Sequence, residues 1–498
     1  MAGMTSVRED HAGRRDGRGP VLPTAEDPVA VTGSEALGGP PGRRLVVGRG
    51  WWTPLRVMAL AVIAMFALGM VQKYPCYDGA WFFGANAQYT HACYSDIPHL
   101  FQGRGFADGL VPYFDKIPSN VSGGMDYLEY PVLTGALMQL AAWFTPDGGS
   151  IQDREQAYWM ANASLLMICA VVVVVAVART HRRRPWDALL VALAPALALN
   201  ATINWDLLAV ALTAIAMYLW SRGRTGWAGV LIGLATAAKL YPVLLLGPLL
   251  VLCLRAGRMR DFGRALWGAV AAWVVVNLPF ILLAPQGWAK FYTFSQERGE
   301  DYGSFWLILM QQRGQALDGL NTYCSVAMLV ICAAIGVLAL STRRRPRLAQ
   351  LAFLVVAAFV LTNKVYSPQY VLWLIPLAAL ARPRWRDFLI WQAAEVMYFL
   401  GVWLYLANNI GDKHQGLPEG GYHAVIAVHL LGTLYLCAMV VRDMLHPEHD
   451  PVRQDGTDDP SGGPLDGARD HWTLTRPSPG PLEKAQYVHW GTTSPGTD

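Results

Sequence analysis

Three polar clusters interrupt apolar stretches of this chain: Asn204-Trp205-Asp206, Lys239-Leu240-Tyr241-Pro242 and Asn363-Lys364-Val365-Tyr366-Ser367-Pro368-Gln369. A fourth, Glu129-Tyr130-Pro131, repeats the theme. Ionisable groups inside or at the edge of a bilayer are costly, and where they persist they bind or react. The two lysines are suited to a phosphate, because an ammonium acts as a compact point charge. Asp206 is suited to a sugar hydroxyl or to holding another charge. Tyr241, Tyr366, Gln369, Asn363, Asn204, Glu129 and Tyr130 supply donors and acceptors for a polar ligand. Each cluster also has a plainer reading, with Asn and Asp as turn caps and Lys239 snorkelling to the interface. Their convergence on one face favours a common binding site.

The same face receives the long loop 73–129, which carries Asp78, Asp96, Asp108, Asp115, Asp126 and Glu129. In Ser95-Asp96-Ile97-Pro98-His99-Leu100-Phe101 the apolar positions fall on one helical face. A short helix lying on the membrane is expected there, with Asp96 at or near its N-cap. Cys76 and Cys93 lie in this loop and are expected to form a disulfide, worth about 3 kcal/mol for a loop of that size.

The elements that carry these residues follow from composition. The chain has 498 residues, of which 53% are hydrophobic and 15% charged, and the apolar residues cluster in runs of bilayer-spanning length. An all-α polytopic membrane protein is expected. Spans are placed at 54–72, 158–178, 187–203, 207–221, 226–238, 243–254, 265–284, 321–341, 348–362, 371–381, 388–407 and 423–441, about 12 in all. Segment 130–144 reads as a re-entrant or partial helix. Arginine clusters near 43–56, 179–184, 222–224, 255–264, 343–347, 382–386 and 442 are assigned to the cytoplasm by the positive-inside rule. The four polar clusters and loops 73–129, 145–157, 285–320 and 408–422 then face outside. Residues 1–50 and 443–498 are polar and Pro/Gly-rich and read as disordered cytoplasmic tails flanking one membrane domain, 51–442. The scattered basic clusters are topology signals and do not form a nucleic-acid groove. There is no metal-ligand spacing, Walker loop or Gly-x-Ser-x-Gly elbow, so no cofactor or metal is expected.

These residues resemble glycosyltransferase family 87, a branch of the GT-C membrane glycosyltransferases that includes polyprenyl-phosphate-mannose-dependent mannosyltransferases. The resemblance rests on Asp96 with Gly103…Pro112-Tyr113, on Glu129-Tyr130-Pro131, on Asn204-Trp205-Asp206-Leu207-Leu208-Ala209, on Ala238-Lys239-Leu240-Tyr241-Pro242 and on Asn363 to Tyr370. It implies a GT-C-like bundle with a long first outer loop, in a bacterial plasma membrane. It also implies an outward-facing site and a lipid-linked donor, with mannose the expected sugar. The acceptor hydroxyl belongs to a lipid or glycan, and an early acid, Asp96 by position with Asp78 as fallback, serves as the base. Lys239 and Lys364 are the expected donor-phosphate ligands. Direct displacement inverts the anomeric centre. A retaining route needs a second carboxylate, for which Asp206 and Glu129 stay open. A transporter or flippase of lipid-linked glycans is the alternative from another class.

Overall fold

A computed structural model describes residues 21, 27–38, 51–82, 87–119, 124–410, 415–454 and 458–475. Most of the expected N-terminal tail 1–50 lies outside them, as do residues 455–457 and 476–498 of the expected C-terminal tail 443–498. The described residues are helical and contain no strand, an all-α polytopic membrane fold. Six helices are long and apolar enough to cross a bilayer: Pro54–Ala80, Ile151–Thr180, Met259–Leu283, Leu320–Ser341, Trp385–Ile410 and Glu419–Leu445. Six shorter apolar helices accompany them: Val132–Trp143, Asp206–Ser221, Thr225–Ala238, Tyr241–Arg255, Leu348–Thr362 and Pro368–Ala381.

Burial sorts these helices into two layers. Leu348–Thr362 and Val371–Ala381 are apolar on every side and buried almost throughout, so they form the centre. Leu320–Ser341 and Met259–Leu283 are also apolar over a bilayer-spanning length but mostly uncovered, as lipid-facing helices must be. Small residues let the inner helices approach closely. In Thr225–Ala238, a Cβ added at Gly229 or Gly233 would lie 2.0 or 2.2 Å from the carbonyl oxygens of Ala265 and Ala269. That contact fixes the helix ending at Lys239 against Met259–Leu283.

One expected span needs correction, and the expected partial helix at 130–144 is found. Segment 187–203 is not one span. It breaks into Pro185–Ala188, Leu189–Ala192 and Pro195–Asn200 because Pro195 holds Ala194 out of the helical region, at ψ 117°. Segment 130–144 forms the 12-residue helix Val132–Trp143, which rises only about 18 Å, well short of a ~30 Å hydrocarbon core.

The polar end regions are also more ordered than their composition suggests. Pro28–Gly38 is a helix, and the Asp27 carboxylate before it accepts from the Trp385 amide at 2.9 Å. Residues 446–454 and 458–475 pack on the arginine-rich ends of the helices. Arg347, fully buried, pairs with Asp450 at 2.7 Å and also donates to the Leu380 and Ala381 carbonyls. Asp470 bridges Arg255 and Arg345, each at 2.7 Å. Low hydrophobicity predicts disorder only where no partner supplies the ordering energy, and here buried guanidinium–carboxylate pairs supply it.

Helix directions separate this arginine end from the polar clusters. Asp206–Ser221 starts at Asp206 and ends where Trp220 donates to the Gly462 carbonyl of the C-terminal segment, at 2.8 Å. Val371–Ala381 starts beside Tyr370 and ends at Arg382. The clusters therefore gather at the opposite end of the bundle.

Candidate active site

Asp96 is the first residue of the helix Asp96–Gly103, and Ser95 caps that helix by accepting from the Ile97 amide at 3.3 Å. The Ser95 hydroxyl donates to the Thr202 carbonyl at 2.7 Å, and the Asp96 amide donates to the Ile203 carbonyl at 2.9 Å. The outer loop is thus stitched to the turn before Asn204. Cys76 and Cys93 are disulfide-bonded, and Trp81 Nε1 donates to the Cys93 carbonyl at 3.2 Å. Lys73, fully buried, donates to the Tyr94 carbonyl at 2.9 Å. Each of these bonds fixes the strip 93–95 leading into Asp96. Replacing Cys76 and Cys93 by Ser is expected to lower stability by about 3 kcal/mol by loop-closure entropy, seen as a drop in the thermal midpoint.

The Asp96 carboxylate is half-buried and has two donors. Tyr94 Oη donates to Oδ1 at 2.7 Å and Asn204 Nδ2 to Oδ2 at 2.8 Å. Asn204 Nδ2 also donates to Tyr130 Oη at 2.9 Å, and its Oδ1 is held by the Trp205 amide at 2.6 Å. Burial pushes the Asp96 carboxyl above its ordinary value, and Asp206 adds to the rise. The Tyr94 and Asn204 bonds and the Lys239 charge act against it. A base works only when ionised, so a rate that depends on Asp96 falls as pH drops through this raised value. The acid limb of kcat/KM is expected above the range of an exposed aspartate. A limb at or below about pH 4 would contradict this.

Lys239 stands next to this pair. It leaves the end of Thr225–Ala238, and Pro242 prevents the helix from continuing through it. Its Nζ lies 3.2 and 3.4 Å from the two Asp206 oxygens, and 5.8 and 5.9 Å from the ring centroids of Tyr130 and Tyr370. Asp206 is also fixed by Trp373 Nε1 at 2.7 Å. Tyr370 and Tyr241 both stack on Trp373, at 4.0 and 4.5 Å. Asp206 is buried while Lys239 keeps partial exposure. The carboxylate therefore holds the ammonium from behind and leaves its front to a ligand.

The structure brings together Asp96, Tyr130, Asn204, Asp206 and Lys239, but it places several other expected residues elsewhere. Lys364 donates to the Gln296 carbonyl at 3.1 Å and to Asn321 Oδ1 at 2.6 Å, so it ties the end of Pro285–Glu297 to the start of Leu320–Ser341. Tyr366 is fully buried between helices, with its hydroxyl 3.3 Å from Thr433 Oγ1. Tyr241 packs under Trp373 and donates to Thr213 Oγ1 at 3.3 Å. Asn363 closes its own turn on the Val365 carbonyl. Gln369 is buried in the turn Pro368–Tyr370. Glu129 receives Arg104 at both oxygens, at 2.5 and 2.7 Å, which occupies the carboxylate and steadies the adjacent Tyr130. Asp78 lies in the irregular turn Cys76–Ala80.

Sequence reasoning missed Tyr94, Lys73, Tyr370 and Arg298. Tyr370 lay within a recognised stretch, but the turn at Pro368 decides which tyrosine faces the site. Arg298, partly exposed, is gripped by Asp301, and the Asp301 amide donates to the Lys364 carbonyl at 2.9 Å, so the Arg298 loop lies against the stretch leading into Tyr370.

The family model of glycosyltransferase family 87 matches residues 127–362. No curated protein matches. Among solved structures, the Archaeoglobus fulgidus oligosaccharyltransferase in the apo form aligns at 11% identity and a TM-score of 0.36. That alignment covers 79% of this chain and 55% of the other, so the chain spans about half the length of that protein.

Proposed function

We propose, from the premise that this chain belongs to glycosyltransferase family 87, that it moves a sugar from a polyprenyl phosphate to an acceptor hydroxyl, with inversion. Asp96 accepts the hydroxyl proton while that oxygen bonds to the anomeric carbon. The bond from that carbon to the phosphate oxygen breaks, and polyprenyl phosphate departs with the negative charge. Lys239 meets this charge in a site largely closed to water, where a fixed cation is most effective. Arg298 takes the place first assigned to Lys364 as the second cation. Tyr130, Asn204 and Tyr370 orient the sugar and phosphate.

One observation carries the reading: Asp96, from the first long loop, and Lys239, from a distant helix end, meet around Asn204 and Tyr130. Inversion is favoured because both candidate nucleophiles are committed, Asp206 to Lys239 and Trp373 and Glu129 to Arg104. A bacterial plasma membrane with the site outside fits the gathering of arginines at the other end. Mannose is the proposed sugar and a lipid or glycan the proposed acceptor, both from the family resemblance. A flippase needs polar groups along its path, whereas the central helices present apolar side chains on all sides. The test is purified protein in liposomes with radiolabelled polyprenyl-phosphate mannose. Label moving to a glycolipid fraction is expected, and label that only crosses the bilayer unchanged would favour the flippase.

A further inference from the structure

A second polar cluster lies inside the bundle, away from Asp96. His429 and Glu395 are both buried, on the helices Glu419–Leu445 and Trp385–Ile410. His429 Nε2 is 3.1 Å from the Gly303 carbonyl oxygen, and Nδ1 is 3.4 Å from Glu395 Oε2. A carbonyl only accepts, so Nε2 carries a proton. The facing Nδ1 and Oε2 need one more proton between them, or two lone pairs would oppose each other. Glu395 Oε1 receives Thr433 and Trp391, each at 3.1 Å. Tyr398 and Tyr366 pack against the imidazole at 4.1 and 4.3 Å. Burying so many polar groups is costly, and their outward bond goes to a loop.

That loop is held at several points. The Gly303 amide donates to Tyr422 Oη at 3.2 Å, the Asp301 amide to the Lys364 carbonyl at 2.9 Å, and the Tyr366 amide to the Tyr302 carbonyl at 3.0 Å. Gly303 has φ +77°, and a Cβ there would lie 2.2 Å from Tyr398 Oη and 2.3 Å from the Tyr366 carbonyl oxygen. Five residues before Gly303 stands Arg298, gripped by Asp301.

We infer that His429, backed by Glu395, is a positioning residue for the donor site: it fixes the Asp301–Gly303 backbone and, through Asp301, the Arg298 guanidinium. This rests on the reading of Arg298 as a partner of the donor phosphate. The test uses the full chain in nanodiscs, with amide exchange over residues 298–304 and donor and acceptor kinetics. His429→Ala is expected to speed exchange and raise the donor KM, each about tenfold, with the acceptor KM unchanged. Gly303→Ala is expected to give the same pattern with the His–Glu pair intact, and it carries the test if His429→Ala does not fold. Glu395→Gln, whose amide can donate to Nδ1, is expected to stay within about threefold of wild type. Unchanged exchange in both loop-releasing variants, or a released loop with unchanged donor KM, overturns the positioning role. Arg298→Gln separates the two ideas. An unchanged donor KM there overturns the phosphate reading and this inference with it. A raised KM there, with an unmoved loop in His429→Ala, overturns the positioning role alone.

Discussion

Asp96→Asn is expected to lower kcat for sugar transfer by about 10²–10⁴-fold, the usual share of a general base, with donor affinity nearly unchanged. The substitution is structurally mild. The new carbonyl oxygen can accept from Asn204 Nδ2, and the new amide can donate to Tyr94, whose hydroxyl turns to accept. The helix keeps its cap because Ser95 provides it. What is lost is the capacity to take a proton. Single-turnover transfer from a radiolabelled polyprenyl-phosphate sugar, beside equilibrium binding of the same donor, separates chemistry from affinity. Transfer at wild-type rates in this variant would remove Asp96 from the reaction. Asp78 would then be the next residue to replace.

The second large effect is expected at Lys239. Lys239→Met removes the cation proposed to meet the leaving phosphate, and kcat/KM for the donor is expected to fall about 10²–10³-fold. It also leaves Asp206 buried without its counter-charge, at a cost of about 3 kcal/mol. The two losses can be told apart. Adding Asp206→Asn removes the stranded charge while keeping an acceptor for Trp373 Nε1. The double variant should recover thermal stability but not transfer. Recovery of transfer along with stability would make Lys239 a structural residue. Lys239→Arg is a poor substitute, because a planar fork of five donors does not fit the place of a compact ammonium between two tyrosine rings.

How far the site could be read from the sequence depends on what made each residue visible. Asp96, in the outer loop, stood out by its place at the head of a short amphipathic helix and by the family resemblance. Asn204, Asp206 and Lys239 stood out because each breaks or borders an apolar run, where a polar side chain costs free energy whatever the tertiary fold. The helices were visible for the same reason, and the misjudged span at 187–203 failed at a single proline. Choices within a polar stretch were not visible. In Asn363–Tyr370, Lys364 and Tyr366 look as suitable as Tyr370. The turn begun at Pro368 sends Tyr370 toward Lys239, while Tyr366 enters the helix interface and Lys364 turns to Asn321. Arg298 gave no signal at all, since a cation in a polar loop is unremarkable until the fold ties that loop to the stretch leading into Tyr370. The ordered C-terminal segment was hidden differently. Its aspartates find arginines more than a hundred residues away, a match that window composition does not register.

Those arginines serve at two times in the life of the chain. During insertion, Arg255, Arg345 and Arg347 precede their partners by 100 residues or more, so each emerges from the ribosome as an uncompensated cation. In that state they exert their full pull on the orientation of the neighbouring helices. Only when Asp450 and Asp470 have been synthesised can the charges be cancelled and the guanidinium groups sealed from water. The closing of this end of the bundle is thus a late event, reserved by the order of the sequence until the helices have already chosen their direction.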